Sequence, residues 1–346
     1  MLDLHAHHAP IRAELSAAIE SVVDSGQFIL GPALDLFEQE LAEHLGVAHV
    51  VGVSSGTDAL ICALMAMGIG PGDEVITTPC SFVATAEAIM RVGAIPVFAD
   101  IDPGSFNLSP GAAEESITAN TRAIIPVNLF GRQAEMPLVR VPVLEDSAQS
   151  IGAPLHGLAG TLSFFPSKNL GACGDAGAIY TDSHELAAAC RLRRNHGTAK
   201  RYHYSVIGGN LRMDTLQAAI LRVKLPHLER WTADRRANAE AYRERLQESP
   251  VVLPTDAPGH AWNQFVIRAP RRDELRAHLA SAGISTEVYY PVPLHLQPCF
   301  ADLGYQRGEF PEAERAAAEV LGLPVYPELP PDSLEYVAES IRAFYS

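Results

Sequence analysis

Apolar positions along this chain switch between two spacings. Residues 11–23 and 34–45 place them every three or four positions, the period of a helix with one buried face, and Gly26 and Gly46 close those stretches. From His49 onward, short apolar runs alternate with helical ones. The runs predict strands over 49–53, 74–78, 95–101, 122–130, 141–145, 161–165 and 177–181. Helices are predicted over 56–67, 81–92, 183–194, 213–224 and 228–246. Strands that are continuously apolar and separated by helices imply a mostly parallel sheet covered on both faces, an α/β architecture.

After the helix at 228–246 the pattern changes character. Pro254, Pro258 and Gly259 punctuate residues 251–259, which reads as a linker. Beyond it the spacing predicts a strand at 263–268, a helix at 273–282, a strand at 285–290 and helices at 311–321 and 332–345. The chain therefore divides into a large domain, residues 1–235, and a smaller C-terminal one, residues 236–346. With 346 residues, 47% of them hydrophobic, there is enough apolar surface for both cores. A net charge of −15, with no basic run beyond Arg191-Leu192-Arg193-Arg194, gives a field that repels nucleic acid. Five cysteines without a C-x-x-C pair fit a reduced, cytoplasmic setting. No apolar stretch is long enough to span a bilayer, and no secretory signal is visible.

The candidate chemistry centres on Lys168, in Ser163-Phe164-Phe165-Pro166-Ser167-Lys168-Asn169-Leu170-Gly171. Upstream, the apolar run at 141–144 ends in Glu145-Asp146, with Gln149 three positions further. A strand that delivers an aspartate and a loop that delivers a lysine suit pyridoxal phosphate (PLP). The lysine forms a Schiff base, and the carboxylate keeps the ring nitrogen protonated. Gln149 is placed to face the ring's phenolic oxygen, and Ser163 to reach the phosphate. The turn Ser54-Ser55-Gly56-Thr57 joins a strand to a helix and offers free backbone N–H groups to a phosphate. An ordinary turn with Ser55 or Thr57 as N-cap fits the same residues. Phe82 opens the next helix, where an aromatic ring either stacks on a cofactor or fills core.

Five motifs stand in order: Phe28-Ile29-Leu30-Gly31-Pro32, Ser55-Gly56-Thr57-Asp58-Ala59-Leu60, Glu145-Asp146-Ser147-Ala148-Gln149, the Lys168 segment, and Arg194-Asn195-His196-Gly197. Together they resemble the DegT/DnrJ/EryC1/StrS family of PLP-dependent sugar aminotransferases, from about Leu4 to the C-terminal helix. The resemblance implies the PLP-dependent transferase fold of type I. That fold has a large domain with a mostly parallel seven-stranded sheet flanked by helices, plus a smaller α+β domain. It implies a homodimer with active sites at the subunit interface. By matching position, Lys168 and Asp146 are the catalytic pair. Gly56, Thr57 and Ser163 hold the phosphate, Phe82 stacks on the ring and Gln149 faces it. Asn210 reaches the phosphate from the other subunit, and Arg212 lies near the sugar nucleotide. Phe28, Tyr289, Tyr290 and His295 surround the substrate. The implied reaction moves an amino group, with L-glutamate as donor, to a nucleotide-linked keto-sugar for amino-sugar and polysaccharide biosynthesis, a 3-keto sugar ahead of a 4-keto one.

The chain departs from this pattern in two respects. Several relatives carry His-Tyr-Pro where Tyr289-Tyr290-Pro291 stands, and the segments 130–141 and 149–163 look short. The second shortening is expected to open one wall of the site. Two competing readings share the fold: a PLP- or PMP-dependent sugar dehydratase, and a non-catalytic regulator. Dehydratases of this kind carry histidine at the lysine position, so Lys168 disfavours the first; the intact set Asp146, Gln149, Ser163 and Lys168 disfavours the second. Asp3-Leu4-His5-Ala6-His7-His8 imitates a barrel-type metal motif, but no apolar strand precedes it, so no metal is expected.

Overall fold

The structure is a computed structural model that describes residues 2–346. Seven strands form its main sheet: β1 (His49–Val53), β2 (Glu74–Thr77), β3 (Ile95–Phe98), β4 (Thr121–Ile125), β5 (Leu144–Asp146), β6 (Ala159–Ser163) and β7 (Gly177–Thr181). β3, β2 and β4 pair in parallel, as do β5 and β6. Parallel bridges Ile124–Val143 and Val127–Asp146 join β4 to β5. β7 runs antiparallel between β6 and β1. The order across the sheet is β3-β2-β4-β5-β6-β7-β1.

Alternation along each strand feeds two cores. Val51 and Val53 join the helix Gly56–Ala66, Ile89, Leu186 and Cys190 on one face. Val50 joins Leu34, Phe37 and Leu41, together with Ala218 and Leu221, on the other. Gly52 is required where the helix Pro32–Leu45 crosses β1, since a Cβ there would lie 2.7 Å from Leu34 Cδ1. Each fully enclosed leucine or phenylalanine in these layers contributes about 1.5–3 kcal/mol of burial.

Several predicted boundaries move for local reasons. The helix after β2 begins at Ala84, not at 81. The Thr78 hydroxyl takes the Cys80 N–H at 3.0 Å and holds a turn there, which leaves Phe82 ahead of the helix. β4 stops at Ile125, because Pro126 has no N–H to continue a ladder. Buried Asn128 then bonds Ser147 Oγ and the Ala134 N–H and shapes a turn over Leu129–Gly131. The predicted strand at 285–290 is reduced to one bridge, Glu287–Gly322. The strand lies instead at Val320–Leu323, where the sequence pattern suggested the end of a helix, and pairs antiparallel with Phe265–Arg268.

Neither the connection from β4 to β5 nor that from β5 to β6 carries an α-helix. The short segment after Gln149 must cross from one end of β5 to the other, since β6 runs parallel to β5. It runs back to the start of β5, where the Leu158 N–H bonds Val143 O at 2.8 Å, at the opposite end of the strand from Asp146.

The helix Leu228–Leu246 serves both parts of the molecule and crosses the expected boundary at 235/236. Its first half sets Trp231 against Ile11, Leu15 and Ile220. Its second half sets Ala239, Tyr242 and Leu246 in a core shared by the small sheet, the helices Arg272–Ser281 and Pro331–Tyr345, and Phe98, Phe106 and Phe130 of the large domain.

Candidate active site

Asp146 and Lys168 meet at the C-terminal edge of β5, each close enough for its charge to act on the other. Successive residues in β5 face opposite ways, and this separates the two acids. Glu145, fully buried, accepts the His156 and Gly157 N–H groups, both at 2.7 Å, and so secures the loop after β5. Asp146, 5% exposed, turns to the other side and accepts from Thr85 Oγ1 at 2.8 Å and from the Ala148 N–H at 3.2 Å. Thr85 is itself held by Ser81 at 2.8 Å. Burial pushes the Asp146 carboxyl up; the Thr85 and Ala148 hydrogen bonds and the Lys168 charge pull it back toward ionisation. Thr85 escaped the sequence reading because its role depends on a packing contact between helix Ala84–Arg91 and β5.

Lys168 follows a tight turn in which its N–H bonds Phe165 O at 2.8 Å. Gly171 permits the turn, since a Cβ there would lie 2.3 Å from Pro166 O. Burial lowers the Lys168 amine from 10.5 to about 8, against the opposing pull of Asp146. The neighbouring Asn169 donates to Ala261 O at 2.6 Å and ties the loop to the segment leading into the small domain.

Around this pair the structure assembles most of the expected residues. Ser55 caps the helix Gly56–Ala66 by accepting the Asp58 N–H at 3.0 Å, so the ordinary N-cap reading holds for Ser55. Gly56 abuts Ser163: an added Cβ would lie 2.7 Å from Ser163 Cβ. That close approach leaves backbone N–H groups at the helix start beside a serine hydroxyl, the arrangement an anion needs. Gln149 accepts the Phe130 N–H at 2.5 Å and donates to Tyr290 Oη at 3.4 Å. Tyr290 in turn lies 6.3 Å, centroid to centroid, from Phe82, which is 57% exposed. Phe28 is carried beside the segment that bears Arg212 by the Ile29–Asp214 bridge and the Thr215 N–H to Phe28 O bond of 3.0 Å. Arg212 donates to Asn195 Oδ1 at 2.9 Å, and Asn210 is exposed.

Two expected substrate contacts sit differently. His295 is 2% exposed, bonded to Glu314 at 3.1 Å and packed edge-on against Phe310. Its ring is enclosed by the small domain and not open to the cleft. Tyr289 stands edge-on to its neighbour Tyr290, with ring centroids 5.8 Å apart, and lies against Gly322, lining a cavity with Lys168. The N-terminal histidines take part in packing: His7 bonds Glu328 at 2.8 Å and sits against Trp231, and His8 bonds Lys224 at 2.8 Å.

A buried carboxylate opposite a desolvated lysine, beside a glycine–serine anion cradle, fits a cofactor with a cationic ring nitrogen, an aldehyde and a phosphate. Fold and site together define a PLP-dependent aminotransferase of fold type I. The sequence profile of the DegT/DnrJ/EryC1/StrS aminotransferase family matches residues 10–342, and the chain belongs to that family. It is 48% identical to a pleiotropic regulatory protein of Geobacillus stearothermophilus, over 100% of this chain and 98% of the relative. It is 43% identical to the UDP-N-acetyl-3-dehydro-alpha-D-glucosamine 3-aminotransferase of Acidithiobacillus ferrooxidans, over 99% and 96% of the two chains. The crystal structure of S. venezuelae DesV in complex with a ketimine intermediate superposes with a TM-score of 0.96 at 41% identity, covering 99% of this chain and 97% of that one. No helix among the described residues is long and apolar enough to cross a membrane.

Proposed function

We propose that this aminotransferase carries an amino group from L-glutamate to a nucleotide-linked keto-sugar, with a 3-keto sugar favoured over a 4-keto one. The observation that carries the reading is the buried Asp146 facing a lysine whose amine burial holds near neutrality. Sugar specificity draws its support from relatives, among them the A. ferrooxidans 3-aminotransferase and the dTDP-3-amino-3,4,6-trideoxy-alpha-D-glucose transaminase of Streptomyces venezuelae, 42% identical over 99% of this chain. The regulatory name of the G. stearothermophilus relative belongs to that protein; here an intact lysine and aspartate favour catalysis.

PLP, when bound, supplies an electron sink that lets the C–H bond beside the substrate nitrogen break. Lys168 would hold its aldehyde carbon and Asp146 its ring nitrogen. Phe82 would cover one ring face, and Gln149, oriented by Phe130 and Tyr290, would meet the phenolic oxygen. Gly56, Thr57 and Ser163 would hold the phosphate, with Asn210 of a second copy completing that site. Freed by the incoming donor, the Lys168 amine takes the proton from the donor's Cα. In the second half-reaction it returns a proton to the sugar carbon that bore the keto oxygen. An amine near pH 8 is suited to both directions. Phe28, Arg212 and Tyr290 border the sugar nucleotide.

A homodimer fits the surface. Phe28, Ile29, Leu30, Phe82, Phe165, Tyr202 and Tyr204 are all exposed, and Ile207 is 85% exposed. Large apolar residues left exposed in this number are what a second copy would cover.

The test is spectral and then preparative. Cofactor-loaded enzyme absorbs near the visible edge and loses that band on addition of glutamate. A panel of 3-keto and 4-keto nucleotide sugars, read by mass spectrometry, then yields the aminated product. A Lys168→Ala protein that still turns over would end this reading.

A further inference from the structure

Beside Lys168 lies a cavity of about 80 Å³ whose lining includes neither Phe82 nor Tyr290. Its lining includes Lys168, Arg235, Asn263, Gln264 and Tyr289. Space on that scale holds the end of an amine side chain, or about two waters at roughly 30 Å³ each.

The walls are rigid for identifiable reasons. Arg235, 3% exposed, donates through Nη1 to Val325 O at 2.9 Å and to Trp262 O and Asn263 O at 3.4 Å. It thus fixes the backbone that carries Asn263. Tyr289 rests on Gly322, where a Cβ would come within 2.9 Å of the tyrosine Cε2. Among the described residues two acceptors in this lining, Asn263 Oδ1 and Gln264 Oε1, are buried without a full hydrogen-bond partner, as is the donor Arg235 Nε; the Tyr289 hydroxyl comes close enough to Gln264 to act on it, whereas Asn263 Oδ1 has no donor near it. Leaving such a group unpaired costs about 1–3 kcal/mol, so Asn263 Oδ1 points to an occupant that donates hydrogen bonds, and Gln264 Oε1 has room to accept from the same occupant.

Lys168 is such a donor. A freed lysine amine that paired closely with Asp146 would be held as ammonium and could not take up a proton. Amide oxygens accept its N–H groups without adding a negative charge, so the amine stays basic and close at hand.

We propose that this chamber receives the Lys168 amine whenever the lysine is not covalently anchored, with Asn263 and Gln264 as positioning residues that accept its N–H groups. The proposal rests on Lys168 being the cofactor lysine. Tyr289 then forms a wall of the lysine's chamber and not a contact to the sugar.

A crystal structure of the enzyme in its aminated-cofactor form, prepared with glutamate, tests the placement. Lys168 Nζ is expected within about 2.7–3.2 Å of Asn263 Oδ1 or Gln264 Oε1; an Nζ directed at Asp146 or into the open cleft overturns the proposal. The second test is the pH dependence of the rate at which glutamate removes the visible band. Gln264→Glu places a carboxylate beside the amine and favours ammonium. The acid limb should therefore move up by about one pH unit, slowing the reaction roughly tenfold at pH 7 while the alkaline plateau is kept. Asn263→Asp should shift the limb in the same direction. A limb that stays at the wild-type position in both variants overturns the proposal even where activity falls. A wild-type protein that shows no visible band with added PLP removes the lysine assignment itself, whereas a normal band with an unshifted limb removes the chamber alone.

Discussion

Replacing Lys168 by methionine should make the cofactor-free protein more stable while abolishing transamination. In the folded chain the Lys168 amine lies at about 8, because burial disfavours the ammonium. The unfolded chain returns it to 10.5. A base whose folded value is depressed costs stability wherever it must be charged or neutralised to fold. That cost is complete below pH 8 and fades as pH rises toward 10.5, because in that window the unfolded state binds more protons. The gap corresponds to roughly 3 kcal/mol. Part of it returns on substitution, since Lys168 also offsets the burial of Asp146. A net gain of about 1–3 kcal/mol at pH 7 remains, or a rise of about 1–4 °C in Tm for a chain of this size. Denaturant unfolding of both cofactor-free proteins at pH 7 and pH 10.5 gives the measurement, and the difference between them cancels the titrating groups other than Asp146, whose charge Lys168 supports. The stabilisation should be largest at pH 7 and shrink at pH 10.5. A variant that is no more stable at pH 7, or an advantage that does not change with pH, would refute the reasoning.

Other consequences follow from single contacts. Thr85→Val removes the 2.8 Å hydrogen bond to Asp146 and should cost about 1.5–3 kcal/mol of support for its charged form. PLP dissociation, followed by fluorescence, should rise about tenfold or more while the protein stays folded. Gly56→Ala drives a Cβ to 2.7 Å from Ser163 Cβ, so an overpacking penalty of about 1–3 kcal/mol should appear in unfolding, together with weaker binding of the cofactor's phosphate by calorimetry. Glu38 accepts the Gly52 N–H at 2.9 Å and pairs with buried Arg194, so Glu38→Ala leaves a buried guanidinium unpaired beside β1. A loss of about 3–5 kcal/mol is expected by denaturant titration, and a loss below 1 kcal/mol would contradict the pairing.

Much of this protein was legible along the chain. Residues 49–53, 177–181 and 228–246 were read with the bounds the structure has, because each is a long or continuously apolar stretch flanked by turn or breaker residues. The lysine loop and the aspartate at a strand end were legible for another reason: the apolar Phe164-Phe165-Pro166 segment sets a lysine toward the interior, and an apolar run ends in two acids. What one-dimensional spacing does not contain is partnership. Val320–Leu323 became a strand because Phe265–Arg268 offered it an edge, whereas 285–290, with the better local pattern, obtained a single bridge. Thr85 became a support of Asp146 because helix and strand pack there, 61 residues apart in sequence. Tyr289 and Tyr290, adjacent in the chain, acquired different partners, Gly322 for the first and Gln149 for the second. The sequence alone thus determined which elements form and which residues can do the chemistry, since these depend on local period and side-chain type. Tertiary structure decided what each side chain faces, because burial, hydrogen bonding and charge act between residues that only the fold brings together.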